Sequence, residues 1–201
     1  PTASVSGWGT LDGKVFFDDC NFLGGSEMSE GRERKLLIID NNTGKVTQTT
    51  RWPTDKRTHV KGFRARTRAD LMKLRRLFLA LRGRQVSFKI PTFAEDLVVT
   101  QNVSMGANVV TVENVNFSRY VGQDRQVRFT FTDGTTLIRT ITASSELSAT
   151  EEQLTLSATW PAARTAAEFR RAEFIELVRS DTDDVEIEHG DYVGTATVSL
   201  P

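Results

Sequence analysis

Cysteine and histidine are nearly missing: the 201 residues hold one thiol, Cys20, and two imidazoles, His59 and His189. A single cysteine excludes an intramolecular disulfide and a cysteine-rich zinc site, and it fits folding in a reducing cytosol. The two histidines lie far apart in the sequence, each in or beside a strand-like pattern. Nothing around Cys20 or His59 would activate them as a nucleophile pair, so Cys20 reads as a small buried hydrophobe. No run of about 18 apolar residues occurs, which removes a helical membrane span. The start lacks the pattern of a secretory leader. Residue 1 is proline rather than methionine, so processing, or a segment of a longer chain, is expected. Neither charge is in excess, with 26 Lys and Arg against 26 Asp and Glu. The 38% apolar content and mean hydropathy of −0.33 are those expected of a soluble globular protein.

The usual constellations of catalysis and ligand binding are also missing. Gly44-Lys45 is no phosphate loop, because the upstream glycine position is Ile39 and no Ser or Thr follows the lysine. The acids Asp18 and Asp19, and Asp181, Asp183 and Asp184, lack the alternating spacing and closing glutamate of a calcium loop. They read as solvated turn acids. His189-Gly190-Asp191 is likewise a turn before it is a metal site. No catalytic, cofactor-binding or metal-binding residue is therefore expected, and the chain does not read as an enzyme.

What is present is concentrated in residues 67–99. Thr67 and Asp70 have the spacing of a capping box, with the acid at the positive end of the helix dipole. Gly83 offers the left-handed residue that closes the helix. Over 67–82, Leu71, Leu74, Leu77, Phe78 and Leu81 form one apolar stripe at roughly 100° per residue. Met72 and Leu79, seven residues apart, fall on another side between Arg68, Arg75 and Arg76. A surface helix in a monomer seldom needs that second strip, so a folded-back part of the chain or another subunit is expected to cover it.

The rest reads as β structure, about ten strands in all. Residues 1–34, rich in Gly, Ser and acids around one apolar run at Val15–Phe17, read as an extended arm. Residues 35–39 and 46–51 flank Asn-Asn-Thr-Gly-Lys and read as a hairpin. Further strands are expected at 58–66 and 85–90, the latter ended by Pro91. From 97 to 160 the pattern is short strands and turns, with Val127, Phe129 and Phe131 alternating against Arg128, Thr130 and Thr132. That segment reads as a small antiparallel β domain inserted into a main β domain of 35–96 and 161–201. Strands at 169–180, 185–189 and 193–200 close the main domain.

Charge is unevenly spread. Residues 1–100 carry 18 Lys and Arg against 11 Asp and Glu, and residues 101–201 carry 8 against 15. Opposed halves suit self-association, since charged surfaces steer and select partners. The basic run from Arg64 to Lys89 lacks aromatic platforms and a helix free to enter a groove, so it reads as a salt-bridging rim rather than a nucleic-acid surface.

The segment TRADLMKLRRLFLALRGRQVSFKIPTFAEDLVVT resembles a recurrent segment of tailed-bacteriophage tail-tip proteins. Its matching residues are Leu71, Leu74, Leu77, Phe78, Arg82, Gly83, Arg84, Phe88, Pro91, Thr92, Phe93, Asp96 and Leu97. The later FRRAEFIELVRSDTDDVEIEH is similar to the returning strand pair of the same proteins, at Phe174, Leu177, Val178, Arg179, Asp181, Asp183, Val185 and Ile187. The resemblance implies a mainly β fold with one principal helix, a tube-like β sandwich or barrel. It implies a structural virion protein of the distal-tail type, assembled in the host cytoplasm. Such subunits form a ring, usually six-fold, between the tail tube and the baseplate hub. The genome passes through the lumen without specific binding, and neither cofactor nor membrane is involved.

A ring closes through heterologous contacts, for which Arg68, Met72, Arg75, Arg76 and Leu79 are the expected interface residues. Burying Met72 and Leu79 would contribute roughly 2 kcal/mol each at most. Two other roles in the same apparatus compete: a tail tube or terminator protein, and a binding module whose β insertion recognises carbohydrate or a fibre. The latter requires Phe117, Tyr120 and Trp160 exposed on one face.

Overall fold

A computed structural model describes residues 8–19, 29–33, 36–40, 46–50, 56–120, 125–181, 183, 187–189 and 194–200. The chain is mainly β with one principal helix, and its residues group into two compact units, 1–88 with 178–201 and 89–177. Cys20, Trp52, Asp184 and the expected turn at 41–45 lie outside the described residues. So do the side chains of His59 and His189, whose backbones lie in strands.

In the first unit, β1 (Gly9–Leu11) and β2 (Lys14–Phe16) form a tight antiparallel hairpin. Strands β3 (Ser29–Glu33) and β6 (Lys56–Ala65) pair antiparallel, while β4 (Leu36–Asp40) and β5 (Val46–Thr50) form the expected separate hairpin. Of the stretch expected to be an extended arm, residues 8–17 are packed rather than free. Trp8, Val15, Phe16 and Phe17 are buried, and Trp8 stacks on Phe17 with centroids 4.7 Å apart. Phe17 then meets Phe63 edge-on at 5.1 Å, and Phe63 meets Phe78 at 5.8 Å. Aromatic contact area, which periodicity cannot reveal, ties this stretch to the helix.

Helix α1 (Arg68–Leu81) begins where the sequence places it. Thr67 Oγ1 accepts from Asp70 N and Asp70 Oδ2 accepts from Thr67 N, each at 3.1 Å. Leu74, Leu77 and Leu81 are buried. The left-handed closing residue is Arg82, φ 49° and ψ 50°, rather than Gly83 alone, and a 3-10 turn, Gly83–Gln85, follows. That turn occupies the start of the strand expected at 85–90, which is instead β7 (Phe88–Pro91). Gly83 has a different reason to be glycine. At φ +62°, a Cβ there would lie 2.8 Å from the Cα of Asp183 and against its carboxylate, which accepts from Arg84 N at 2.9 Å.

The second unit adds β8 (Val109–Glu113), α2 (Phe117–Tyr120), β9 (Arg125–Phe131), β10 (Thr136–Glu146), β11 (Glu151–Leu156) and β12 (Phe169–Val178). Its sheet order is β7-β12-β9-β10-β11-β8. The alternation of β9 is realised: Val127, Phe129 and Phe131 enter one core with Leu154, Leu156, Trp160 and Ala172. This unit runs from 89 to 177 rather than 97 to 160, because β12 pairs along β9, from Phe169↔Phe131 to Ile175↔Gln126. The corner before it is bound in too. Asp96 Oδ2 accepts from Phe174 N at 2.8 Å and from the Thr92 hydroxyl, with Phe93 at φ 59° between them.

The outward side of the β9 alternation is not all solvent. Arg128 and Glu173, opposite each other across β9 and β12, are both buried and joined by a 2.7 Å ion pair. Breaking such a pair from one side is costly, because the other charge is left stranded away from water.

The C-terminal strands β13 (Ile187–His189) and β14 (Gly194–Leu200) return to the first unit, giving the order β13-β14-β6-β3. The charge asymmetry changes accordingly. The first unit holds 18 Lys and Arg against 15 Asp and Glu, and the second 8 against 11. The acid-rich end of the chain belongs with the basic helix, so the imbalance of the sequence halves is largely compensated within one unit.

Candidate subunit interface

Helix α1 is fixed on its inner side by the buried leucines and at Lys73, whose carbonyl accepts from Trp8 Nε1 at 3.3 Å. The Lys73 ammonium sits 4.2 Å from the centre of the Trp8 ring and 3.9 Å from Asp19 Oδ2. Asp19 is thereby engaged with a cation. The opposite side of the helix carries Arg68, Met72, Arg75, Arg76 and Leu79, all exposed. Met72 keeps 42% and Leu79 77% of its surface accessible. No described part of the chain covers them. Of the arm considered from sequence as a cover for this strip, the described Trp8 and Phe17 join the aromatic run through Phe63 and Phe78 instead.

The aromatics of the second unit are placed otherwise than the sequence suggested. Phe117 and Trp160 are each only 2% exposed. Phe117 stacks on Phe174 at 5.8 Å, and Trp160 packs against Phe129 at 5.0 Å and Phe169 at 5.6 Å while donating Nε1 to Val109 O. Neither is the open platform of a sugar site, because each completes the core beneath its own loop. The side chain of Tyr120 lies outside the described residues. A cleft of about 240 Å³ opens beside Trp160, between Phe131, Leu137, Pro161 and Arg164. Arg164 lies over Phe131 at 4.4 Å and pairs with Asp133 at 3.0 Å and Glu168 at 3.3 Å.

Those acids are tuned by local hydrogen bonds. The Thr135 hydroxyl and then its amide hold the Asp133 carboxyl below its usual range, with Arg164 adding to the effect. The Thr165 amide and then its hydroxyl do the same for Glu168. The bond to Asp133 raises Arg164. These contacts keep the loop charged and ordered but converge on no reacting centre.

Among the described residues, no three His, Cys, Asp or Glu side chains are grouped to hold a metal ion, and no helix is long and apolar enough to cross a membrane. Exposed apolar residues that were not singled out from sequence include Val115, 47% accessible, and Leu147, 52%, beside Met105, 71%. The isolated leucine in the polar run Ser-Ser-Glu-Leu-Ser-Ala-Thr is the signal that could have found Leu147. Neither a protein-family model nor a curated protein matches the chain.

Proposed function

We propose that the protein is a structural subunit of a phage tail tip, of the distal-tail type, that works by packing against copies of itself between tail tube and baseplate hub. The observation that carries the assembly role is the outer side of α1, where two apolar side chains stand exposed among arginines on a helix already packed along its other side. Exposed apolar side chains on one helix face, rimmed by charged groups, fit a surface used for interaction. The phage setting rests on the resemblance of residues 67–100 and 169–189 to tail-tip proteins. The corner formed by Thr92, Phe93 and Asp96 gives a physical reason for part of that pattern, since one carboxylate holds both the turn and the neighbouring strand.

Six-fold symmetry, the tube and hub partners and virion localisation belong to the same proposal. The binding-module reading is less well supported, because two of its three aromatics are core residues. Negative-stain imaging of the purified full chain, alone and mixed with tail-tube protein, tests the assignment. Closed rings that cap tube ends are expected. Particles that stay single-subunit with and without the tube would remove it.

A further inference from the structure

Two exposed surfaces of this chain have matching chemistry. The first is the α1 strip of Met72 and Leu79 among Arg68, Arg75 and Arg76. The second is the tip formed by the β10–β11 turn and the loop after β8. Asn114 joins the two there, its amide donating to Thr150 O at 2.9 Å and its side-chain Nδ2 to Ser148 O at 3.0 Å. Val115 and Leu147 stand exposed on these adjoining segments. On the same segments, among the described residues, lie the carboxylates of Glu113, Glu146 and Glu151, of which Glu146 pairs with Arg119 at 3.2 Å.

The tip is also stiff. Buried Glu152 accepts from the amides of Val115 and Phe117 at 3.1 and 3.2 Å, and the Thr100 hydroxyl donates to Glu151 at 2.7 Å. A preordered surface loses little freedom on docking, which favours its use in recognition.

We infer that the α1 strip of one copy docks on the Val115–Leu147 tip of a second copy, two apolar side chains against two, with arginines facing carboxylates. The pairing deepens the assembly role proposed above and rests on that reading for its biological setting. The two surfaces differ, so the contact is heterologous: every copy offers one of each, and association continues until it closes or runs on. Apolar contact supplies the affinity, and charge selects partner and register. A helix face on a hairpin tip is at the small end of interface sizes, so assembly is expected to depend on concentration.

Complementation tests this directly. One full-length variant carries Met72→Glu and Leu79→Glu; another carries Val115→Lys and Leu147→Lys. All four side chains are exposed, and circular dichroism checks that both variants stay folded. In sedimentation velocity the wild type is expected to grow beyond dimers, and each variant alone to stay monomeric with affinity reduced at least about tenfold, as loss of a central apolar contact implies. An equimolar mixture should form dimers and stop there, because each variant keeps the surface that the other has lost. A mixture that stays monomeric overturns the pairing, as does either variant assembling like the wild type. If the wild type forms rings while the mixture fails, the ring role stands and this contact falls. If the mixture dimerises while the wild type forms chains that ignore tail tubes, the contact stands and the ring role falls.

Discussion

Each unit of this protein holds a buried tryptophan, but the surroundings of the two are built differently. Trp160 sits among Phe129, Phe131 and Phe169, side chains delivered by neighbouring strands of one sheet. Trp8 sits at the head of a run through Phe17 and Phe63 to Phe78, contributed by a terminal hairpin, a long strand and a helix. In the first case the hydrogen-bonded ladder sets the ring positions, and aromatic packing fills the space left. In the second, aromatic packing itself joins elements that share no ladder with the helix. Loss of one ring should therefore open a cavity in the sheet core but loosen an attachment in the helical one.

The largest expected effect tests that contrast. Phe129→Ala should destabilise by about 3–5 kcal/mol, since its rigid surroundings cannot collapse into the gap. Phe17→Ala should fall at the lower end of that range, because the terminal hairpin can shift to follow the lost ring. Urea unfolding gives both values, and hydrogen exchange should show α1 amides exposed early only in the second. Equal costs with unchanged α1 protection would erase the distinction.

A smaller effect probes how the helix is stopped. Gly83→Ala should cost about 1–3 kcal/mol, from its positive φ and from the collision with Asp183. Thermal melts of this variant beside Asp183→Ala should show the glycine change as the worse one, because removing Asp183 forfeits chiefly one hydrogen bond to Arg84.

The smallest effect is in the loop beside Trp160. Asp133 and Glu168 have lowered folded-state values, so their stabilisation is complete above the unfolded carboxylate range near about pH 4 and drains as pH falls through the folded values. Asp133→Asn should flatten the decline in unfolding midpoint below that range and leave its slope near neutrality unchanged. An unaltered acid profile would refute it.

Local signals carried much of this architecture. The Thr67–Asp70 cap, the leucine stripe of α1 and the alternation of β9 all appear where spacing puts them. What spacing cannot supply is partnership between distant residues. Trp8 and Phe17 lie in a stretch rich in Gly and acids, and only Phe63 and Phe78 make sense of them. Arg128 occupies an outward position in the pattern, yet Glu173, 45 residues later, takes it out of water. Phe117 and Trp160 look available in loops because the sequence does not show that each loop folds over its own aromatic ring. The exposure of Met72 and Leu79 was legible because both break the amphipathic pattern of an otherwise ordinary helix.

The contact between Asp183 and the turn at Gly83–Arg84 spans 99 positions, and the whole second unit lies in the gap. On a ribosome, the 89–177 segment emerges as one uninterrupted stretch and can settle while the chain is still growing. The helix-bearing unit must wait, its exit turn bare, until the last stretch arrives. The time spent unfinished is thus written into the order of translation, and ribosome-bound chains halted before residue 183 should be cut by protease near the end of the helix and spared within the β sheet.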